Sequence, residues 1–396
     1  MSVKHPMRSV LVAALAAVSL AAGAAAADDG ADFAPQAKQF YRVVACGNAD
    51  PLPAELDAVM IGKHCEEMAK RYQQFTDTYV TPARTFFADK RPAGLPTTVV
   101  YPFGGGDLGS ALVTYPDARD ITTISLEHAG DPTRLGTLDK AHLKTALGNY
   151  RDAIAGLLSL HDSTSENMRK LEKGGIPGQL SFHITGLTAL GFEPVSLKFF
   201  TINDDGTLHY LTQAEIDALA PKKAKKVKGG WVDTDFSEAF TNMEITFRKA
   251  GDAKAPLITH RHIAANLADK PFKGSGLEKL LLAKGKVVAI TKAASYLLWD
   301  SSFAGIRNYL TSNMAWMASD STGVPPAAAK KAGFTQTTYG TYTGAFLDEA
   351  NKEVDAQMVK LWATQPHRKL PFRYGYPDHD KNLHLMITAP SEPKTK

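Results

Sequence analysis

Hydrophobic positions follow different rhythms along the chain. From residue 35 to about 90 they recur at helical spacing. Leu56, Val59, Met60, His64 and Met68 share one face behind Pro51 and Pro53, which predicts a mainly helical stretch. Arg91–Pro96, rich in proline and glycine, breaks it. Thr97–Phe103 is then rich in β-branched and aromatic residues, and Gly104-Gly105-Gly106-Asp107 makes a turn. Leu108, Ala111, Leu112 and Tyr115 suit one face of a short helix that Pro116-Asp117 stops, and Ile121–Leu126 reads as a second strand ending at Glu127. This order predicts a compact βαβ unit over residues 97–127.

Further on, Leu143, Ala146, Leu147, Tyr150, Ile154, Leu157 and Leu158 predict helices over 138–173, stopped by Gly174-Gly175. Residues 180–212 read as strands. Within them Phe199–Ile202 and Leu208–Leu211 flank the turn Asn203–Thr207 as a hairpin, and Thr212–Glu215 is a capping box. Met243, Ile245 and Phe247 alternate with polar residues as a half-buried strand, and 257–264 is another. A short helix at Leu277–Leu282 precedes Val287–Ile290, an apolar run typical of a strand covered on both faces. Helical pieces at Ala293–Trp299 and Phe303–Leu310, a strand at 334–343, a helix at 345–362 and a strand at Leu383–Thr388 complete the pattern.

Alternating strands and helices predict an α/β fold with a Rossmann-like, mostly parallel central sheet. The expected organisation is a helical N-terminal extension over 28–96 and an α/β domain over 97–390. An inserted α+β segment interrupts that domain at about 136–255, and 391–396 is a polar tail.

The first 27 residues have the form of a secretory signal peptide. Lys4 and Arg8 precede an apolar run from Val10 to Ala22, too short to span a bilayer, and Ala24–Ala27 offers a small-residue cleavage site. Export to the periplasm or beyond is expected. No later stretch is long and apolar enough to cross a membrane. The chain's 44% hydrophobic and 22% charged residues exclude wholesale disorder and a fibrous repeat. Removing Lys4 and Arg8 lowers the net charge by two from +4, so nothing argues for a nucleic-acid partner. The basic run Lys222–Lys228 has no interleaved aromatic residue and reads as a solvated loop. In an oxidising compartment Cys46 and Cys65 are expected to pair.

Candidate chemistry follows from position. In open parallel sheets ligands bind beyond the carboxyl ends of the strands. Asp107, Lys292 and Asp320 are the candidate catalytic residues there. Tyr101, Gly104, Gly105, Gly106, Glu127 and Ser295 are the candidate ligand-binding residues, with His128, Asn266 and Asp269 nearby. Glu127 lies 22 residues past Gly105, where nucleotide-binding folds place a ribose-binding acid. The turn departs from G-x-G-x-x-G, and Asp107 would repel a phosphate, so no cofactor is assigned. His260 and His262 share one strand face as a two-ligand start for a metal. His183, read as lying in another strand, is a source of the third ligand. No nucleophile elbow, phosphate loop or zinc-protease motif is present.

Three functions are consistent with these residues. One is an enzyme or degenerate enzyme with its site at the strand ends. Another is a non-catalytic protein that binds a small molecule or an envelope component. The third is a metal protein built on His260 and His262. A preorganised pocket at the strand ends would favour the first, and a filled mouth the second.

The segments Tyr101–Asp107, Tyr115–Ala118, Lys292–Leu298, Ile306–Asn308, Tyr339–Tyr342 and Leu370–Tyr376 resemble a family of exported bacterial proteins of uncharacterised function, over most of residues 90–390. That resemblance implies export and transfers no catalytic residue. More distantly, the order of elements resembles class I S-adenosylmethionine-dependent methyltransferases. That likeness rests on the Gly104–Asp107 turn, Glu127, Lys284-Gly285-Lys286 before a buried strand and Ala332-Gly333-Phe334 before a late one. It implies a fold rather than an activity.

Overall fold

The computed structural model describes residues 30–47, 56–159, 171, 175–219, 237–344, 352–375 and 383–391. The leader, the basic run and residues 392–396 lie outside the described residues. The fold is mixed α/β around one 10-stranded sheet. The strands are β1 (Thr98–Pro102), β2 (Asp120–Ser125), β3 (Phe192–Ile202), β4 (Leu208–Tyr210), β5 (Asn242–Lys249), β6 (Ile258–Ala264), β7 (Val287–Thr291), β8 (Met314–Ser319), β9 (Phe334–Thr341) and β10 (Leu383–Pro390). Their spatial order is β4-β3-β5-β6-β2-β1-β7-β8-β10-β9. The run β6-β2-β1-β7-β8 is parallel throughout. β10 lies antiparallel between β8 and β9, and β5, β3 and β4 extend the other edge antiparallel.

Alternation along each strand divides the core in two. Val99, Tyr101, Ile121, Val288, Ile290, Trp316 and Ala318 face one layer. The helices Ala58–Phe75, Thr81–Lys90, Lys140–Ser159 and Gly178–Ala189 pack there, with Phe86, Phe87, Tyr150 and Phe182 among the buried side chains. Val100, Ile124, Val287, Ala289 and Met317 face the other layer, under the helices Gly276–Ala283, Ala304–Asn313 and Pro326–Lys331. The N-terminal helices thus share one core with the sheet. The Cys46–Cys65 disulfide forms as expected and ties the first helical segment to the second.

The βαβ unit is present: β1 and β2 are parallel, joined by the helix Leu108–Thr114. The β3–β4 hairpin and the Thr212–Glu215 capping box also form. Two expectations are corrected, and one strand has no counterpart in the sequence pattern. Residues 178–189 form a helix, not a strand. Gly178–Leu187 is buried on every side, so its apolar run lacks the one-sided period that marks a helix. Residues 293–299 form a chain of turns, because Ala293, Ser295 and Tyr296 all have positive φ. β8 had no strand signal, since Met-Ala-Trp-Met-Ala-Ser carries no β-branched residue and follows the helix Ala304–Asn313 without a glycine or proline break.

Candidate functional site

The loops after β1, β7 and β8 meet at one end of the parallel strands. The sharp exit from β1 places Phe103 and Gly105 at positive φ, 60° and 49°. Asp107 then caps the next helix, accepting from the Ser110 amide at 3.1 Å. Its other oxygen takes the Tyr101 hydroxyl and the Lys292 ammonium, each at 3.1 Å. Lys292 also donates to Ser110 Oγ at 3.0 Å, and the Tyr79 hydroxyl donates to the same oxygen at 3.1 Å. The ammonium lies 5.6 Å from the Tyr79 ring centre and 5.5 Å from that of Tyr374. The pair is nearly dry, with side-chain exposures of 8% for Lys292 and 16% for Asp107.

Asp320, directly after β8, is fully buried and works as a latch. One oxygen accepts from the Ala293 amide at 2.7 Å, the other from the Thr322 amide at 2.8 Å and the Thr322 hydroxyl. Thr322 Oγ1 in turn accepts from the Ala294 amide at 2.9 Å. These bonds hold the loop after β7 in its left-handed turns, conformations that cost about 1–3 kcal/mol per residue. The Tyr374 hydroxyl is buried beside this latch with no hydrogen-bond partner. Burial foremost, with the charges of Tyr79 and Asp320, pushes its ionisation well above the usual phenol range.

A second buried network adjoins the first. The Tyr296 and Tyr342 hydroxyls both donate to Asp355 Oδ1. Ser321 Oγ lies 3.1 Å from His384 Nε2. Burial pushes the His384 imidazole down to about 4.

The structure therefore brings Tyr101, Asp107 and Lys292 into direct contact and sets Asp320 beside them. Gly104, Gly105 and Gly106 are all buried. A Cβ on Gly104 would lie 2.6 Å from the Tyr101 ring, and one on Gly106 2.5 Å from the Phe182 ring. The helix carrying Phe182 crosses the Leu108–Thr114 helix where Gly186 meets Gly109, so closely that a Cβ on Gly186 would lie 3.2 Å from the Gly109 amide nitrogen. Ser295 is exposed and Glu127 half-buried, away from the Lys292–Asp107 pair's contacts. Asp269 bonds the Gly305 amide and Lys273 rather than this group.

Tyr79, Ser110, Tyr296, Tyr342, Asp355, Tyr374 and His384 were not anticipated as members. Tyr296, Tyr342 and Tyr374 lie within segments that carried the resemblance to exported proteins, which is where a signal existed.

His260 and His262 share one buried face of β6, as the alternation predicts. His183 does join them, from the helix Gly178–Ala189. No protein-family model, curated protein or solved structure matches the chain.

Proposed function

We propose that the chain is an exported degenerate enzyme: a Rossmann-like protein that keeps the sheet of a cofactor-binding fold and has closed its crevice. Numbering the parallel strands by appearance, β6-β2-β1-β7-β8-β10-β9 follows the order 3-2-1-4-5-7-6, with the seventh antiparallel. That agrees with the resemblance to class I methyltransferases. The strained residues after β1 and β7 support the same descent, since such strain clusters at ligand sites.

The observation that carries the reading is the packing of Tyr101 and Phe182 against Gly104 and Gly106. A cofactor on this turn needs bare backbone and a helix N-terminus free of negative charge. Here the turn is buried under the chain's own rings, and Asp107 occupies the helix start. The residues present do not fit an adenosyl cofactor, and no catalytic step is derived through one. The mouth instead serves as a polar lock, with Lys292 neutralising Asp107. Export is supported by the leader's form and by a disulfide suited to an oxidising compartment. Among the described residues no helix is long and apolar enough to cross a membrane.

Calorimetric titration of the purified protein with S-adenosylmethionine, its demethylated product and a reduced nicotinamide dinucleotide tests the proposal. No saturable heat is expected from any of them. Stoichiometric binding that is lost on Gly105→Val substitution would overturn it.

A further inference from the structure

The disulfide closes beside a buried histidine. Among the described residues, Cys46 Sγ, Cys65 Sγ and a ring nitrogen of His64 all lie within 4.8 Å of one another. His64 and Cys65 are neighbours on the helix Ala58–Phe75, and Cys46 reaches them from beyond the end of the helical segment Phe40–Val44. The chain turns sharply there, with Cys46 at a φ of 61°. His64 is 2% exposed, whereas both cysteines are only half-buried.

The segment is held against the helix by more than the disulfide. Phe40, Tyr41, Val43 and Val44 are buried in the core. The Tyr72 hydroxyl donates to the Ala45 carbonyl at 2.8 Å. The Val44 carbonyl can only accept, so His64 Nε2 carries the proton and donates to it at 2.8 Å. His64 Nδ1 is then a lone pair, and it accepts from the Arg151 guanidinium at 3.1 Å. Opening the sulfur–sulfur bond therefore leaves both cysteines facing the same imidazole.

We propose that Cys46, Cys65 and His64 form a zinc(II) site once the disulfide is reduced. The reductant is a dithiol. One of its thiolates attacks a sulfur of the Cys46–Cys65 bond, and its second resolves the mixed disulfide. The dithiol loses two electrons and closes into its own disulfide. Cys46 and Cys65 gain those electrons with the dithiol's two protons and become thiols. Zinc then displaces the two protons and binds the thiolates. The metal restores the tie across the loop that the disulfide made, and the site does not depend on the strand-end reading.

The donors select the ion. Thiolate and imidazole are zinc ligands, whereas calcium and magnesium take oxygen. Two thiolates cancel the charge of a dication, which limits the cost of partial burial. Zinc bonds sulfur at about 2.3 Å and imidazole at about 2.0–2.1 Å in a tetrahedron, which sets the donors about 3.5–3.8 Å apart. From within 4.8 Å, the imidazole has to close at most about 1.3 Å to reach that spacing. The bond from His64 to the Val44 carbonyl is the kind of backing that orients metal-binding imidazoles. The half-buried Arg151 gives up Nδ1 to the metal, and water takes the fourth position, as at zinc sites with three protein ligands.

The test is a zinc(II) titration against a chromophoric chelator, on the full protein reduced with dithiothreitol and freed of it anaerobically. One equivalent is expected for the reduced protein and none for the oxidised protein. X-ray absorption at the zinc edge should show two sulfurs and an imidazole. His64→Gln and Cys65→Ser should each weaken binding by more than about 100-fold, beyond the loss of an outer-shell partner. His142→Gln, at an exposed histidine, should leave it unchanged. If a variant fails to fold, the wild-type spectrum decides: a shell with both sulfurs and the imidazole sustains the proposal, and a shell lacking either overturns it. If reduction itself unfolds the chain, recovery of the near-ultraviolet circular dichroism with one equivalent of zinc sustains it, and no recovery overturns it. Equal zinc binding by the oxidised protein, no binding by the folded reduced protein, or binding that survives His64→Gln also overturns it.

Discussion

If the strand-end cluster is a lock, its charges stabilise each other, and removing one must expose the other's desolvation cost. Lys292→Met leaves Asp107 with the Tyr101 hydroxyl and the Ser110 amide. Breaking a buried pair from one side costs about 3–5 kcal/mol. The 16% exposure of Asp107 and its two remaining hydrogen bonds reduce that to about 2–4 kcal/mol. Asp107→Asn keeps the shape of the helix cap and strands the ammonium, at a similar cost of about 2–4 kcal/mol. The double variant removes both charges and lets methionine pack between the Tyr79 and Tyr374 rings. Its loss should be only about 1–3 kcal/mol, which leaves a coupling energy of about 1 kcal/mol at the least and about 4 kcal/mol at mid-range. Urea unfolding of the four proteins under identical conditions measures each difference. Additive single effects, or singles within about 0.5 kcal/mol of the wild type, would refute the lock. A gain in stability from Lys292→Met would refute it more directly, because groups held against their own preference mark a working site.

Three further outcomes follow from the same structure. Burial pushes His64, His262 and His384 down to about 4 and holds His183 and His260 well below the usual imidazole range, so the folded chain holds five neutral imidazoles that the unfolded chain protonates near 6.5. Their contribution is complete above that value and is lost as the pH falls towards 4, with a slope of up to about 7 kcal/mol per pH unit. A urea midpoint that is flat between pH 7 and about pH 5 would contradict this. Ala293→Gly and Ser295→Gly, at exposed positions with φ of 54° and 47°, should each raise stability by about 0.5–1 kcal/mol, read as a higher melting temperature. Replacing Cys46 and Cys65 by serine opens a loop with a sequence separation of 19 and should cost about 3 kcal/mol in chemical denaturation.

Features that depend on neighbours in the chain were legible from the residues alone. The βαβ unit over 97–127, the hairpin around Asn203–Thr207, the capping box at Thr212 and the buried strand Val287–Ile290 each form from local pattern and turn chemistry. So does the shared face of His260 and His262, because side chains two apart on a strand point the same way. The strand-end position of Asp107, Lys292 and Asp320 is legible in the same way, since each follows a strand in the sequence.

What the tertiary structure decided was what those residues face. The helix Gly178–Ala189 is buried all round and so has no amphipathic period, yet it carries both Phe182 over the glycine turn and His183 into the histidine cluster. The left-handed turns after β7 contain no glycine between residues 292 and 299. They exist because Asp320, far along the chain, binds the Ala293 amide. Tyr79 and Tyr374 reach Lys292 from opposite ends of the sequence. Periodicity reports which side of an element is buried, but the group on the other side of that contact comes from distant sequence. Whether a strand-end acid meets a ligand or the chain's own lysine is therefore settled only when the layers pack.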